Sequence, residues 1–135
     1  MASLSKEISI RASADDIWKV IGDFEAGPTR MASGYVVDTR LDGDCRVVTF
    51  ADGAVARERL VSLDHGARRI VYSVVGGTLS PTHDNASMQV VADDEHSCRL
   101  IWIHDVLPHD LAKPIETAMI HGMEAIKQTL EPETT

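Results

Sequence analysis

Two cysteines, Cys45 and Cys98, in 135 residues are too few for a disulfide framework, and neither has a histidine at metal-ligand spacing. Reduced thiols and no metal site are the expectation. Aromatic residues are scarce as well, at 4%, so each Trp and Tyr stands out as a candidate for a specific task. No apolar run approaches the roughly 18 residues of a membrane-spanning helix. Met1 to Arg11 lacks the unbroken apolar core of a signal peptide, because Lys6 and Glu7 interrupt it. A cytoplasmic location with no membrane span is the expectation. Basic residues are the last deficit, 13 against 21 acidic ones for a formal net charge of −8. That charge repels phosphate backbones, and no basic stripe interleaved with aromatics offsets it, which argues against a nucleic-acid partner. No G-x-S-x-G elbow, P-loop, G-x-G-x-x-G or H-E-x-x-H motif occurs, so no cofactor is expected.

What the chain does contain is an ordinary globular composition, 44% apolar and 25% charged, at a length that buries roughly two thirds of the unfolded surface in one domain. A single domain over residues 1–135 is expected, with a polar, frayed tail from Glu131 to Thr135. Leu4 to Ala12 alternates like a half-buried strand. Ser13 is placed to cap a short helix over Ala14–Ile21, with Asp15 and Asp16 where the helix dipole favours acids. Phe24 to Arg30 has room for one further helical turn before Gly27-Pro28 interferes. Six strand-like runs then follow: Tyr35–Leu41, Arg46–Phe50, Val55–Leu63, Arg69–Val75, Ala86–Val91 and Arg99–Val106. The turns between them are short and rich in Asp and Gly, which makes antiparallel hairpins. After Pro108 the chain forms its only long helix, to about Leu130. Its apolar stripe is Ile115, Ala118, Met119, Gly122, Met123, Ile126 and Leu130. The fold class is therefore α+β: a seven-stranded curved antiparallel sheet around a long C-terminal helix, with one or two short helices after the first strand. A mid-helix glycine costs about 1 kcal/mol against alanine, so Gly122 marks either a close approach of the sheet or space kept for a ligand.

Several stretches resemble the START/Bet v 1-like superfamily, in its polyketide cyclase/dehydrase and lipid transport branch. They are Ala56-Arg57-Glu58-Arg59-Leu60-Val61-Ser62-Leu63-Asp64, Arg69 through Gly77, the N-terminal Ile8-x-Ile10-x-Ala12-x-Ala14-x-x-Ile17-Trp18 pattern, and Leu100-x-Trp102 followed by Pro108. The resemblance spans nearly the whole chain and implies a helix-grip fold with a cavity between sheet and helix. By resemblance to the hormone receptors of that superfamily, the Asp52-Gly53 turn corresponds to a gate loop and Gly77 to Asn85 to a latch loop. Glu58, Asn85 and Ser87 then match ligand-reaching positions. Many bacterial members carry Trp-His where this chain has Met31-Ala32.

Strand alternation sorts the polar candidates. Glu58 and Arg59 point to opposite faces, so only one can line a cavity, and Glu58 reads equally as part of a solvated, charged strand edge. Trp102 and His104 share a face with Leu100 and Val106, which directs an imidazole inward, either as a satisfied core residue or as an acid/base group. Tyr72 shares the core face with Ile70, and a buried hydroxyl needs a partner. Asn85 and Ser87 share a face that could be inner or exposed. His83 and Asp84 read as loop residues. The leading expectation is a binding module for a hydrophobic small molecule, a lipid or a polyketide-like compound. Its predicted lining is Glu58, Ile70, Tyr72, Asn85, Ser87, Met88, Trp102, His104, Met119, Gly122 and Met123. The alternative is a cyclase/dehydrase-type enzyme whose acid/base groups come from His104, Glu58 and Tyr72. A homodimer, and a regulatory partner that reads gate and latch movement, are further possibilities.

Overall fold

The computed structural model describes residues 2–132. The elements are β1 (Ala2–Ile10), α1 (Ala14–Ile21), α2 (Gly27–Met31), β2 (Val36–Asp42), β3 (Cys45–Phe50), β4 (Val55–Asp64), β5 (Arg69–Gly77), β6 (His83–Ala92) and β7 (Cys98–Leu107). A 3-10 turn (His109–Leu111) then leads into α3 (Ala112–Leu130). The seven strands form one antiparallel sheet in the order β1-β7-β6-β5-β4-β3-β2. This is the expected helix-grip arrangement. The hairpins β2 through β7 follow chain order because their connections are too short for anything else. Only β1 joins from a distance, closing the sheet along β7.

The sheet curls because its strands are irregular where it bends. Register shifts fall between Val36 and Asp38 in β2, and between Arg57 and Glu58 and between Leu60 and Ser62 in β4. Each adds local twist and lets that half of the sheet wrap around α3. The concave face carries Ile10, Ile70, Val90 and Leu100, which pack with Ile21 and Ile126. A second cluster, Ala2, Val106, Ile115 and Met119, closes the space beside the first turns of α3. Fully burying side chains of this size contributes roughly 1.5–3 kcal/mol each, so these two clusters carry the attachment of α3.

Local signals explain the flanking elements. Ser13 Oγ accepts from the Asp16 amide at 3.1 Å, capping α1 as its sequence predicts. Gly27-Pro28 does not interrupt the second helix but begins it; proline's fixed φ and missing N–H suit a first helical turn. β6 starts three residues earlier than the apolar pattern suggests, so His83, Asp84 and Asn85 are strand residues rather than loop. The connection left between β5 and β6 is residues 78–82. At its base Gly77 has φ +112°, and a Cβ there would run into the Val55 carbonyl. Glu131, expected at the start of a frayed tail, accepts from the Arg11 amide at 3.1 Å. Residues 133–135 lie outside the described residues. Among the described residues no helix is long and apolar enough to cross a membrane.

Candidate functional site

Between α2, the concave sheet and α3 lies a small, partly open cavity of about 60 Å3. Its walls are Pro28, Met31 and Ala32 from α2 and the residue after it, Tyr35 and Val36, Val48 and Phe50 from β3, Tyr72, Met88 and Trp102 from the central strands, and Gly122 and Ile126 from α3. Arg46 and Glu58 complete it with charge. Glu58, Tyr72, Met88, Trp102 and Gly122 were the sequence candidates that the fold brings together here. Met31-Ala32 makes this side of the wall apolar.

The remaining candidates fall elsewhere, for reasons of strand parity and packing. Asn85 and Ser87 pair with Asp105 and Ile103, on the face opposite Ala86-His104 and Met88-Trp102, so they belong to the convex side and do not line the cavity. Met88, the neighbour of Ser87 in sequence, points inward because neighbours in a strand alternate. Ile70 and Met123 fill the main core, and Met119 the second cluster. Gly122 records a close approach: a Cβ there would stand 3.0 Å from the Trp102 ring. The space that the small residue keeps is occupied by tryptophan.

Two buried polar groups organise the wall. Arg46 Nε donates to Glu58 Oε1 at 2.8 Å, and Nη1 donates to the Phe24 carbonyl at 3.1 Å. The guanidinium also lies over the rings of Phe24, at 4.7 Å, and Tyr72, at 5.0 Å, where the ring faces favour a cation. Arg46 is 3% and Glu58 8% exposed, so this ion pair is desolvated. Beside it Trp102 Nε1 donates to the Tyr72 hydroxyl oxygen at 3.0 Å. Burial, and then the Glu58 carboxylate, push the Tyr72 phenol well above its usual range.

The second group is His104 with Asp84. His104 Nδ1 lies 3.0 Å from Asp84 Oδ2, both side chains buried, while Asp84 Oδ1 accepts from the Val74 amide at 2.9 Å. An ionised carboxylate only accepts, so opposite it Nδ1 is the protonated ring nitrogen and donates the hydrogen bond. The His104 ring stands 6.0 Å from that of Tyr72 and 5.7 Å from that of Trp102. His104 is thus a satisfied core histidine that also adjoins the cavity wall. Sequence reasoning missed both Arg46 and Asp84.

A larger concavity is a different one, an open groove of about 800 Å3 between β1 and α3. Its cations are already engaged: Lys6 with Glu116, Arg11 with Glu131, and Lys127 with the Ser9 carbonyl. It holds none of the buried polar groups. Among the described residues no cluster of three or more His, Cys, Asp or Glu side chains could hold a metal ion.

Removing one member of the buried ion pair leaves an uncompensated charge, so Arg46→Met alone is expected to destabilise the fold by about 3–5 kcal/mol. Arg46→Met combined with Glu58→Leu recovers most of that loss, and urea unfolding of the three proteins measures it. A second expectation concerns alkaline pH. A phenol whose folded value is raised holds its proton longer than in the unfolded chain, so its contribution to stability is complete below about pH 10 and falls as pH rises beyond it. Tyr35, raised by burial and by Asp52, adds to the decline. Tyr72→Phe should flatten the fall in unfolding free energy above pH 10 without abolishing it, and absorbance at 295 nm should show both phenols of the folded protein titrating later than in denaturant.

The fold itself recurs widely. An uncharacterised Bacillus thuringiensis protein superposes with a TM-score of 0.83 at 19% identity, covering 96% of this chain and 98% of that one. A START superfamily protein from Mycobacterium smegmatis gives 0.76 at 17% identity, covering 95% and 96%. Norcoclaurine synthase from Thalictrum flavum, in complex with dopamine and hydroxybenzaldehyde, gives 0.69 at 21%, covering 99% and 89%. No curated protein matches the sequence. The family model described as polyketide cyclase / dehydrase and lipid transport matches residues 1–131, and with the curled sheet and gripped helix in place, the chain belongs to that family.

Proposed function

We propose that this protein binds a hydrophobic or aromatic small molecule, lipid-like or polyketide-like, in the space between the concave sheet and α3. The observation that carries this reading is the desolvated Arg46–Glu58 pair on the wall of a small, otherwise apolar and aromatic cavity. Such a pair is often no more stabilising than well-packed apolar residues, so a role beyond stability accounts better for its position. Apolar walls with a few placed polar groups are also the usual make-up of small-molecule sites. Norcoclaurine synthase holds two aromatic compounds on the same fold.

The cavity of about 60 Å3 is smaller than the roughly 300–1,000 Å3 of typical sites, so ligand entry requires the walls to separate. Met31 and Met88 line it, and unbranched thioether side chains re-pack readily. Uptake of N-phenyl-1-naphthylamine, read as a rise in its emission, tests the reading. Gly122→Leu drives a side chain into the Trp102 face of the cavity and is expected to weaken uptake at least about tenfold, a change of about 1.4 kcal/mol. Unchanged uptake in that variant would move the site to another surface, such as the groove along β1.

A second reading, a cyclase/dehydrase-type enzyme, is favoured by the buried His104–Asp84 pair next to Tyr72. A histidine oriented by a carboxylate suits proton transfer at an enolisable carbon. Turnover of a cyclisable poly-β-ketone should then fall by about 10²–10⁴-fold in His104→Ala, checked for folding by circular dichroism. Equal rates would remove His104 from any chemistry and leave it as a core residue.

A further inference from the structure

The sheet has two edge strands, β1 and β2, and they are protected unequally. Along β1 runs α3, whose Lys127 Nζ donates to the Ser9 carbonyl at 2.6 Å and whose C-terminal neighbour Glu131 accepts from the Arg11 amide. In β2 only Val36 is buried. Val37 is 57% and Leu41 47% exposed, high values for large apolar side chains. The ladder shows which backbone groups of β2 face outward. The Phe50 amide donates to the Ala54 carbonyl on the β4 side. By alternation Thr49 and Val47 turn their backbone groups the other way, toward Asp38 and Arg40 of β2. The N–H and C=O of Thr39 and Leu41 therefore point away from the sheet and are open to another strand.

The strand that fits this edge is β2 itself. When Val36-Val37-Asp38-Thr39-Arg40-Leu41-Asp42 is laid antiparallel on its own copy with Thr39 on the two-fold axis, each Asp38 falls opposite an Arg40 and each Val37 opposite a Leu41. Opposite charges and apolar pairs directly across a ladder both stabilise it. Sliding one strand by two residues, the smallest step that keeps the outward N–H and C=O groups facing each other, sets Arg40 against Arg40 or Asp38 against Asp38. Charges on an edge strand ordinarily discourage pairing, but here their signs select one register. The nearby charges are engaged within the chain, Arg57 with Asp42 and Arg59 with Asp44, whereas Asp38 and Arg40 have no ion-pair partner among the described residues. Thr39 Oγ1 is buried and without a hydrogen-bond partner among the described residues, and the axis sets it against a second threonine, a pair that hydrogen-bonds across strands. We propose that two copies of this chain associate through their β2 strands in this register, so that one sheet runs through both. The ladder has 7 residues a side, against roughly 20–30 in a standard interface, which makes the dimer a weak one, populated at micromolar concentrations and above. Ligand binding in the cavity is not required for it.

Sedimentation velocity of the full chain between about 5 and 500 μM, the range in which a small interface associates, tests this. The wild type should pass from monomer to dimer across that range. Arg40→Asp sets aspartates against each other at both charged positions and should raise the dimer dissociation constant at least about tenfold. Combining it with Asp38→Arg exchanges the charges and restores both pairs, so the doubly substituted protein should dimerise within about threefold of the wild type. Thr39→Pro removes an N–H that no strand of the same chain uses, so it should abolish the dimer while leaving the circular-dichroism melting curve of the monomer nearly unchanged. Thr39→Cys should cross-link to a dimer on mild oxidation, because facing residues of a hydrogen-bonded pair have Cα atoms about 5.5 Å apart, within disulfide reach. A wild type that stays monomeric throughout overturns the proposal. So does a dimer that Arg40→Asp leaves intact, or a charge-exchanged protein that associates no more tightly than Arg40→Asp alone.

Discussion

Trp102 is the contact on which the two halves of this molecule depend. Its ring approaches α3 at Gly122 so closely that a Cβ there would stand 3.0 Å away, its Nε1 holds the Tyr72 hydroxyl, and its ring borders His104. It packs against both apolar clusters. The bulk of the tryptophan and the absence of a side chain at position 122 are one constraint seen from two sides. A larger residue on the helix would push α3 off the sheet, and a smaller one on β7 would leave a void where close packing is the rule. The cost of glycine in mid-helix, about 1 kcal/mol, is offset by burying an indole.

Around that contact the polar groups follow a consistent logic. Each buried charge is met by an opposite charge or by several hydrogen bonds. Arg46 has Glu58, a carbonyl and two ring faces; Asp84 has His104 and a backbone amide. Tyr72 lies between the two pairs, touching the first through its ring face and adjoining the second edge-on. Altering Tyr72 therefore bears on both pairs, and its neutral phenol separates them without adding charge.

Much of this was legible in the sequence, and the failures have a common cause. The alternation of Leu100, Trp102, His104 and Val106 placed those side chains inward correctly, because a half-buried strand shows its period plainly. Arg46 was invisible because Cys45-Arg46-Val47-Val48 is buried on both faces, so no period marks which face the arginine takes. Asp84 was hidden by its company: Thr82-His83-Asp84-Asn85 is polar enough to read as loop. Its partner, His104, is reached only through the β6–β7 register, in which Asp84 opposes Val106 and Ala86 opposes His104. Asn85 and Ser87 were correctly seen to share a face, but nothing local said which one. Placing both Ser87 and Met88 in the lining conflicts with strand alternation, since adjacent strand residues point apart. Sequence period fixes relative orientation within a strand; the pairing of distant strands fixes the absolute one.

The same contacts determine which wall can yield. Helix α3 is tied along β1 at both ends: Lys6 to Glu116 beside its first turns, and Lys127 and Glu131 to the backbone of Ser9 and Arg11 beside its last. On the opposite side its ties are a 3.4 Å hydrogen bond from Tyr35 to the Ala118 carbonyl and one from the Ser33 amide to Thr129. Tyr35 leans on Phe50, next to the Asp52-Gly53 turn, and hydrogen bonds between Val55 and Thr78 join that turn's strand to the β5–β6 connection. The side of the cavity with the fewest polar ties to α3 is thus the side where the Asp52-Gly53 turn and the β5–β6 connection meet. The Arg46–Glu58 pair is independent of these ties, because it is anchored to β3, β4 and the Phe24 carbonyl rather than to the helix.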